Sequence, residues 1–232
     1  MLSLSEIVLL VIGLVVCLAL IASAIAVHLL LDVRRSRRIA RLGAELGFVY
    51  RRRDPRMPPV EIAGLPMFRR RKGRVRGFTR DVLLGVWTGR RIIVFEYDSL
   101  AGHGGHSPQT VAAIQLDGAD LPAFALWPRN LATRIVGWRR RGDMAVELTQ
   151  WRELGEKYEL HTNDQKRVEE VFAPDICEGL TRIDDWCVEG VGEWLLVYRH
   201  HIRCKPADLR SFLGTVEAIA DIIAPSANAR QL

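Results

Sequence analysis

The first stretch of the chain is apolar at nearly every position. Residues 7–31 contain two polar side chains, Ser23 and His28, and no acidic or basic group over 25 positions. A helix rises about 1.5 Å per residue, so this stretch extends roughly 37 Å, compared with a hydrocarbon layer of about 30 Å. A continuous helix also satisfies its own backbone polar groups in lipid. The pattern therefore predicts one transmembrane helix.

Basic residues lie on one side of this helix only. Met1 to Glu6 carries none, whereas the segment after the helix contains five. Because short basic flanks stay in the cytoplasm, we expect the N-terminus outside and the rest of the chain at the cytoplasmic face of the inner, or plasma, membrane. The alternative is a cleaved signal peptide, since Ala22-Ser23-Ala24 resembles a cleavage site. The missing N-terminal positive charge and the apolar run beyond that site favour the anchor.

After Pro59 the pattern changes to the alternation that is typical of strands. Residues 82–87 and 91–97 are rich in β-branched and aromatic side chains and flank Thr88-Gly89-Arg90, which predicts a hairpin. A short entry strand is predicted around Gly64. Further strands are predicted at residues 110–116, 121–127, 144–148, 158–160, 186–189 and 194–198.

Apolar residues three or four positions apart predict the helices. Ile39, Leu42 and Leu46 share one face of a short helix that ends near Gly47. Shorter helices are predicted at residues 130–138, after an N-cap at Asn163 and again from Pro174. The clearest stripe follows Pro206 and consists of Leu209, Phe212, Leu213, Val216, Ile219 and Ile223.

This order of elements predicts an α+β protein. An N-terminal transmembrane helix is followed by one domain of mainly antiparallel sheet packed by helices, because hairpin-linked strands indicate antiparallel pairing. An order of strands followed by a helix occurs twice, so the domain could consist of two diverged halves that arose by duplication. The predicted divisions are residues 1–33 for the membrane anchor, 34–59 for a basic juxtamembrane helix and loop, 60–225 for the α+β domain and 226–232 for a C-terminal tail.

Short phrases that recur in a fixed order add a resemblance. Together they resemble a widespread group of uncharacterised bacterial proteins with one N-terminal transmembrane helix, over most of residues 38–223. The resemblance implies a single-pass membrane protein with a cytoplasmic α+β domain, and it implies no activity. The phrases that carry it are residues 47–50, 64–68, 94–97, 109–111, 121–124, 158–160 and 189–192.

Cysteine and histidine positions set limits on the chemistry. Cys17 lies in the apolar stretch, and Cys177, Cys187 and Cys204 share no C-x-x-C spacing. This arrangement argues against a disulfide framework and against a structural zinc site, so we expect no cofactor and no metal. His200 and His201 with Cys204 form a weak metal candidate, because adjacent strand residues point to opposite faces.

A glycine-rich loop at residues 101–107 is the strongest candidate for a catalytic or metal-binding site in the sequence. His103 and His106 are three residues apart, and Ser107 follows them directly. A metal site needs a third ligand, and a nucleophilic serine needs a positioned base and an oxyanion hole. Neither set is specified, so the sequence favours a plain turn and a protein without catalytic activity. A hydrolase or metal-dependent enzyme using this loop is the alternative.

A basic cluster dominates the charge of the chain, whose net value is +6. Three interpretations stay open: contact with anionic lipid headgroups, a solvated face, and nucleic-acid binding. The stacking aromatics of a single-strand reader are missing, which disfavours nucleic acid. The transmembrane helix holds these residues near the inner leaflet, which favours lipid. The predicted membrane-surface residues are Arg34, Arg35, Arg37, Arg38, Arg69, Arg70, Arg71, Lys72, Arg74 and Arg76.

The sequence therefore predicts a membrane-tethered cytoplasmic binding or scaffold module. Its expected partners are the lipid bilayer, anionic headgroups and a protein of unknown identity.

Overall fold

A single long helix opens the computed structural model, which describes residues 4–54, 57–68, 77–100, 106–130, 144–146 and 151–224. This helix, α1 (Leu4–Glu45), continues without a break across residues 33 and 34, the predicted boundary between the anchor and the juxtamembrane segment. Within Ile12–Glu45 its most apolar window has a mean hydropathy of 2.8, and none of that window is buried. Length and composition thus fit a membrane span.

The rest of the described chain is built on one antiparallel sheet. Its nine strands, counted over the described residues, pair in the order β1-β2-β3-β4-β9-β8-β5-β7-β6. The first four strands form a meander that meets the later strands where β4 pairs with β9. The strands are β1 (Val49–Arg51), β2 (Gly77–Trp87), β3 (Arg90–Leu100), β4 (His106–Gln115), β5 (Leu121–Pro128), β6 (Met144–Val146), β7 (Tyr158–Thr162), β8 (Cys187–Gly192) and β9 (Trp194–Tyr198).

Four further helices complete the described fold and confirm the α+β class. The predicted apolar stripe of the last helix is buried at every position. Asn163 was expected to cap a helix, but the N-cap is Asp164, whose carboxylate accepts a hydrogen bond from the Arg167 N–H. The helices are α2 (Arg152–Lys157), α3 (Gln165–Val171), α4 (Pro174–Thr181) and α5 (Leu209–Ile223).

Each face of the sheet has its own core because neighbouring strand residues point to opposite faces. Val94 on β3 packs on the face covered by α5 and the end of α1. Ile93 and Phe95 pack on the other face. That second face is covered by residues 57–68, which lie across the strands rather than beside them.

The predicted entry strand around Gly64 is wrong. Residues 60–64 form turns, and Pro66–Phe68 is a 3-10 turn. Hydrogen bonds from the amides of Ile62 and Leu65 reach only three residues back along the chain. Prolines in this segment remove donors that a sheet ladder needs, and the buried apolar side chains supply the packing instead.

Candidate functional site at the junction of α1 and the sheet

The last three turns of α1 lie on the sheet with one face only. Ile39 is buried against the core, and Gly43 is so close to β2 that a Cβ there would collide with the Leu83 side chain. The other face of the same turns is exposed and basic. It carries Arg34, Arg37, Arg38 and Arg41.

A cluster of five charged side chains holds this helix to the sheet at the end nearer the apolar stretch. Glu96 on β3 is 2% exposed, and its Oε1 accepts hydrogen bonds from Arg35 Nε at 2.9 Å and Nη2 at 2.5 Å. Its other oxygen accepts from Arg203 Nη2, with Arg80 Nε 3.4 Å away. Asp32 accepts from Arg80 Nη1 at 2.8 Å. We call these five residues the junction cluster.

Burial strengthens the electrostatics of the junction cluster. The side chains of Asp32, Arg35, Arg80 and Arg203 are between 18% and 24% exposed. Charges interact more strongly where water is excluded, and guanidinium groups pair well with carboxylates. Burial lowers the pKa of Arg203, but its hydrogen bonds to Glu96 and Asp32 outweigh burial and raise it. Three cations and two anions therefore form one cluster that spans α1, β2, β3 and the segment after β9.

A second polar contact lies beside the junction cluster, at the residues that directly follow Arg35 and Arg80. Asp81 accepts hydrogen bonds from Ser36 Oγ at 3.0 Å and from Tyr50 OH at 2.6 Å. Asp81 lies at an irregularity in the pairing of β2 with β3 and has a φ of 50°. Burial, followed by the Asp81 carboxylate, raises the pKa of Tyr50. This contact joins α1, β1 and β2.

The predicted membrane-surface residues separate into three groups. Arg34, Arg37 and Arg38 are exposed on α1. Arg35 is turned inward to Glu96 and also donates to the Cys204 carbonyl at 2.7 Å. The remaining predicted residues, Arg69, Arg70, Arg71, Lys72, Arg74 and Arg76, lie outside the described residues. Lipid contact stays a prediction for the exposed and the undescribed groups.

The glycine-rich loop is described only at its end. His106 and Ser107 belong to β4, where they pair with Leu100 and Ser99 on β3. His103 lies outside the described residues. Within the part of the chain that the structure describes, no three His, Cys, Asp or Glu side chains lie together as metal ligands would.

His200 and His201 lie in a turn after β9, not in a strand. Their ring centroids are 3.7 Å apart and the rings stack, so the expectation of opposite faces is wrong. The reason is local: His201 has a φ of 58°, which breaks the alternation of a strand, and its N–H donates to Gln109 Oε1. Burial raises the pKa of the nearby Cys204 thiol to about 11, so this sulfur is a poor nucleophile and a poor ligand at neutral pH.

A buried glutamate on the opposite face was not predicted from the sequence. Glu189 on β8 is completely buried. Its Oε1 accepts from Tyr198 OH at 2.7 Å and Trp127 Nε1 at 3.3 Å, and its Oε2 accepts from Met67 N–H at 3.1 Å. Burial and the nearby carboxylate raise the pKa of Tyr198. A signal for both buried acids existed: Glu96 directly follows the apolar run from Ile92 to Phe95, and Glu189 is the one charged residue of β8.

Comparison with known proteins shows a likeness of fold. No protein-family model matches the chain, and no curated protein matches it. Its fold is similar to the crystal structure of the mycobacterial trehalose monomycolate transport factor A, TtfA, with a TM-score of 0.55 and 14% identity over 83% of this chain and 97% of that chain. At this identity the likeness shows the fold alone. The long apolar helix fits a membrane location, and membership of a bacterial single-pass family stays a prediction.

Proposed function

We propose that this protein is a membrane-tethered binding or scaffold module, with its α+β domain at the cytoplasmic face of the plasma membrane. One observation carries the proposal: the apolar part of α1 and the part packed on the sheet are a single unbroken helix. Asp32 and Arg35 join the sheet directly after the apolar stretch ends at Leu31. The domain is therefore held at the membrane surface by a rigid connection instead of a flexible linker.

Charge supports the proposed orientation and lipid contact. The exposed arginines of α1 follow the apolar stretch, as the positive-inside rule expects of a cytoplasmic flank. Each basic side chain near an anionic leaflet contributes about 1 kcal/mol of attraction. The basic stretch at residues 69–76 leads directly into β2 at Gly77, on a strand that α1 contacts through Arg80.

The fold likeness supports a binding role in place of an enzymatic one. The similar protein is named a transport factor, and we extend to this chain only the proposal of a non-catalytic role with a protein partner. The junction cluster, the Asp81 contacts and the Glu189 contacts each join structural elements.

Fractionation and protease protection of the full-length chain test this proposal. We expect the protein to stay with membranes after a high-salt wash, because an apolar span is not released by salt. Protease added outside intact spheroplasts should remove an N-terminal tag and leave a C-terminal tag intact. Recovery in the soluble fraction, or digestion of the C-terminal tag from outside, would contradict the proposal.

A further inference from the structure

The contacts of α1 show which end of the sheet faces the membrane. Asp32 contacts Arg80 and Arg35 contacts Glu96, whereas Gly43, eleven residues after Asp32, lies against Leu83. α1 and β2 therefore run in the same general direction. The first residue of β2, Gly77, lies at the end of the strand that is nearer the apolar stretch of α1. The start of β2, the end of β3 and the start of β4 point towards the bilayer.

These strand ends extend beyond the last described contact with α1. β3 continues from Glu96 to Leu100, which is about 13 Å at roughly 3.3 Å per residue. Arg35 is four residues, about 6 Å of helix, beyond Leu31, where the apolar stretch ends. The end of the sheet therefore extends from the level of Arg35 towards that stretch.

Two exposed apolar side chains lie at this end of the sheet. Phe78 on β2 is 43% exposed and pairs with Asp98, two residues beyond the Arg80–Glu96 pair. Ile202 is 46% exposed, and its carbonyl accepts a hydrogen bond from the N–H of Thr110, the β4 residue opposite Glu96, so it lies level with the junction cluster. We call Phe78 and Ile202 the sheet rim.

We propose that the sheet rim is a second lipid contact, in which Phe78 and Ile202 enter the headgroup layer beside α1. This inference rests on the proposed membrane function. Lipid is the occupant that the geometry favours, because Phe78 lies beyond the Arg80–Glu96 pair towards the apolar stretch of α1, and Ile202 lies level with that pair. Apolar area removed from water contributes roughly 25 cal/mol per Å². Contacts beside α1 restrict rotation of the domain about the helix axis, which the helix alone leaves free.

Fluorescence quenching in nanodiscs tests the rim with the full-length chain. Phe78→Cys and Ile202→Cys are each labelled with an environment-sensitive dye in a Cys17→Ala, Cys204→Ser background. Val86→Cys is the matched control, because Val86 is 61% exposed on the same strand, about 26 Å from Phe78. We expect a quencher on the lipid headgroups to reduce dye emission several-fold more at positions 78 and 202 than at position 86.

A second measurement uses the unmodified chain, so its result does not depend on whether the cysteine variants fold. Photoactivatable lipid should cross-link to the peptide that contains Phe78 and leave the peptide that contains Val86 unlabelled. Equal quenching at all three positions by a water-soluble quencher, or cross-linking of the rim to another protein only, would overturn the inference. A chain that remains in the membrane with a water-exposed rim contradicts this inference alone, whereas a chain that leaves the membrane contradicts the proposed function.

Discussion

The two faces of the sheet each bury one glutamate, and they satisfy it in different ways. Glu96 faces α1 and is held by guanidinium groups, with a second carboxylate sharing those cations. Glu189 faces residues 57–68 and accepts hydrogen bonds from an indole, a phenol and a backbone amide. One face uses ion pairs between side chains, and the other uses directed hydrogen bonds that reach the main chain.

The difference follows from what each glutamate has to hold. Near α1, the partners of Glu96 are long arginine side chains from three separate segments, and ion pairs tolerate some variation in their geometry. On the other face, residues 57–68 make no strand-to-strand hydrogen bonds that would fix their position. The hydrogen bond from the Met67 amide to Glu189 fixes this segment directly. Losing a charge among buried cations is costlier than losing one acceptor among hydrogen-bond donors.

Glu96→Gln should therefore produce the largest effect. The substitution keeps the size of the side chain but leaves Arg35, Arg80 and Arg203 with Asp32 as the remaining carboxylate of the cluster. We expect a loss of about 3–5 kcal/mol in the free energy of unfolding, the range for a broken buried ion pair. Urea unfolding of the full-length protein in detergent, followed by tryptophan fluorescence, measures this loss.

Glu178→Gln is the matched control for that substitution. Glu178 pairs with Arg182 on the exposed side of α4, where an ion pair contributes about 0.3–0.5 kcal/mol. Equal losses for the two variants would show that the junction cluster does not hold the helix to the sheet.

Glu189→Gln should have a smaller and more local effect. If the amide oxygen of the substituted side chain takes the place that receives Tyr198 and Trp127, its NH₂ faces the Met67 N–H, donor against donor. We expect a loss of about 1–3 kcal/mol, the cost of leaving a buried donor unsatisfied. Hydrogen exchange should rise in residues 57–68 and stay unchanged in α1. Unchanged exchange in that segment would refute the role assigned to Glu189.

Removing the exposed arginines of α1 should barely change stability. Arg34, Arg37 and Arg38 are exposed, so the triple Ser variant should alter the free energy of unfolding by less than about 0.5 kcal/mol. It should nevertheless lower the enrichment of anionic over neutral lipid that is retained by the full-length protein from mixed nanodiscs.

The matched control for the triple variant removes the same number of arginines from α2, α3 and the end of α4. These are Arg152, Arg167 and Arg182, in the part of the chain that packs on the later strands. Anionic enrichment should be unchanged in this control. An equal fall in both variants would mean that net charge, and not the position of the arginines on α1, attracts the lipid.

Local patterns predicted most of the fold because they act over a few residues. The stripe from Leu209 to Ile223 is one buried helix, and the hairpin around Gly89 appears as β2 and β3. The strand predicted around Gly64 was wrong. The apolar residues there are spaced like those of a strand, but the prolines and the packing across the sheet produce turns instead. The helix predicted at residues 130–138 lies almost entirely outside the described residues.

The candidate site was only partly visible in the sequence. Arg35 belongs to a basic run whose members look alike, and helix rotation alone decides that it turns inward to Glu96 while Arg34 stays exposed. The partners Arg80 and Arg203 are 45 and 168 residues away from Arg35 along the chain. Nothing in their local sequence indicates the pairing.

By itself, the sequence determined an apolar N-terminal helix followed by arginines and an α+β order of elements, because hydrophobic periodicity and turn residues act locally. The tertiary structure alone decided that the apolar stretch and the sheet-bound turns are one rigid helix and which charges meet beneath it. It also decided which end of the sheet points back along α1 towards its apolar stretch. Those outcomes depend on contacts between distant residues, and such contacts exist only once the strands are paired and the helix is packed.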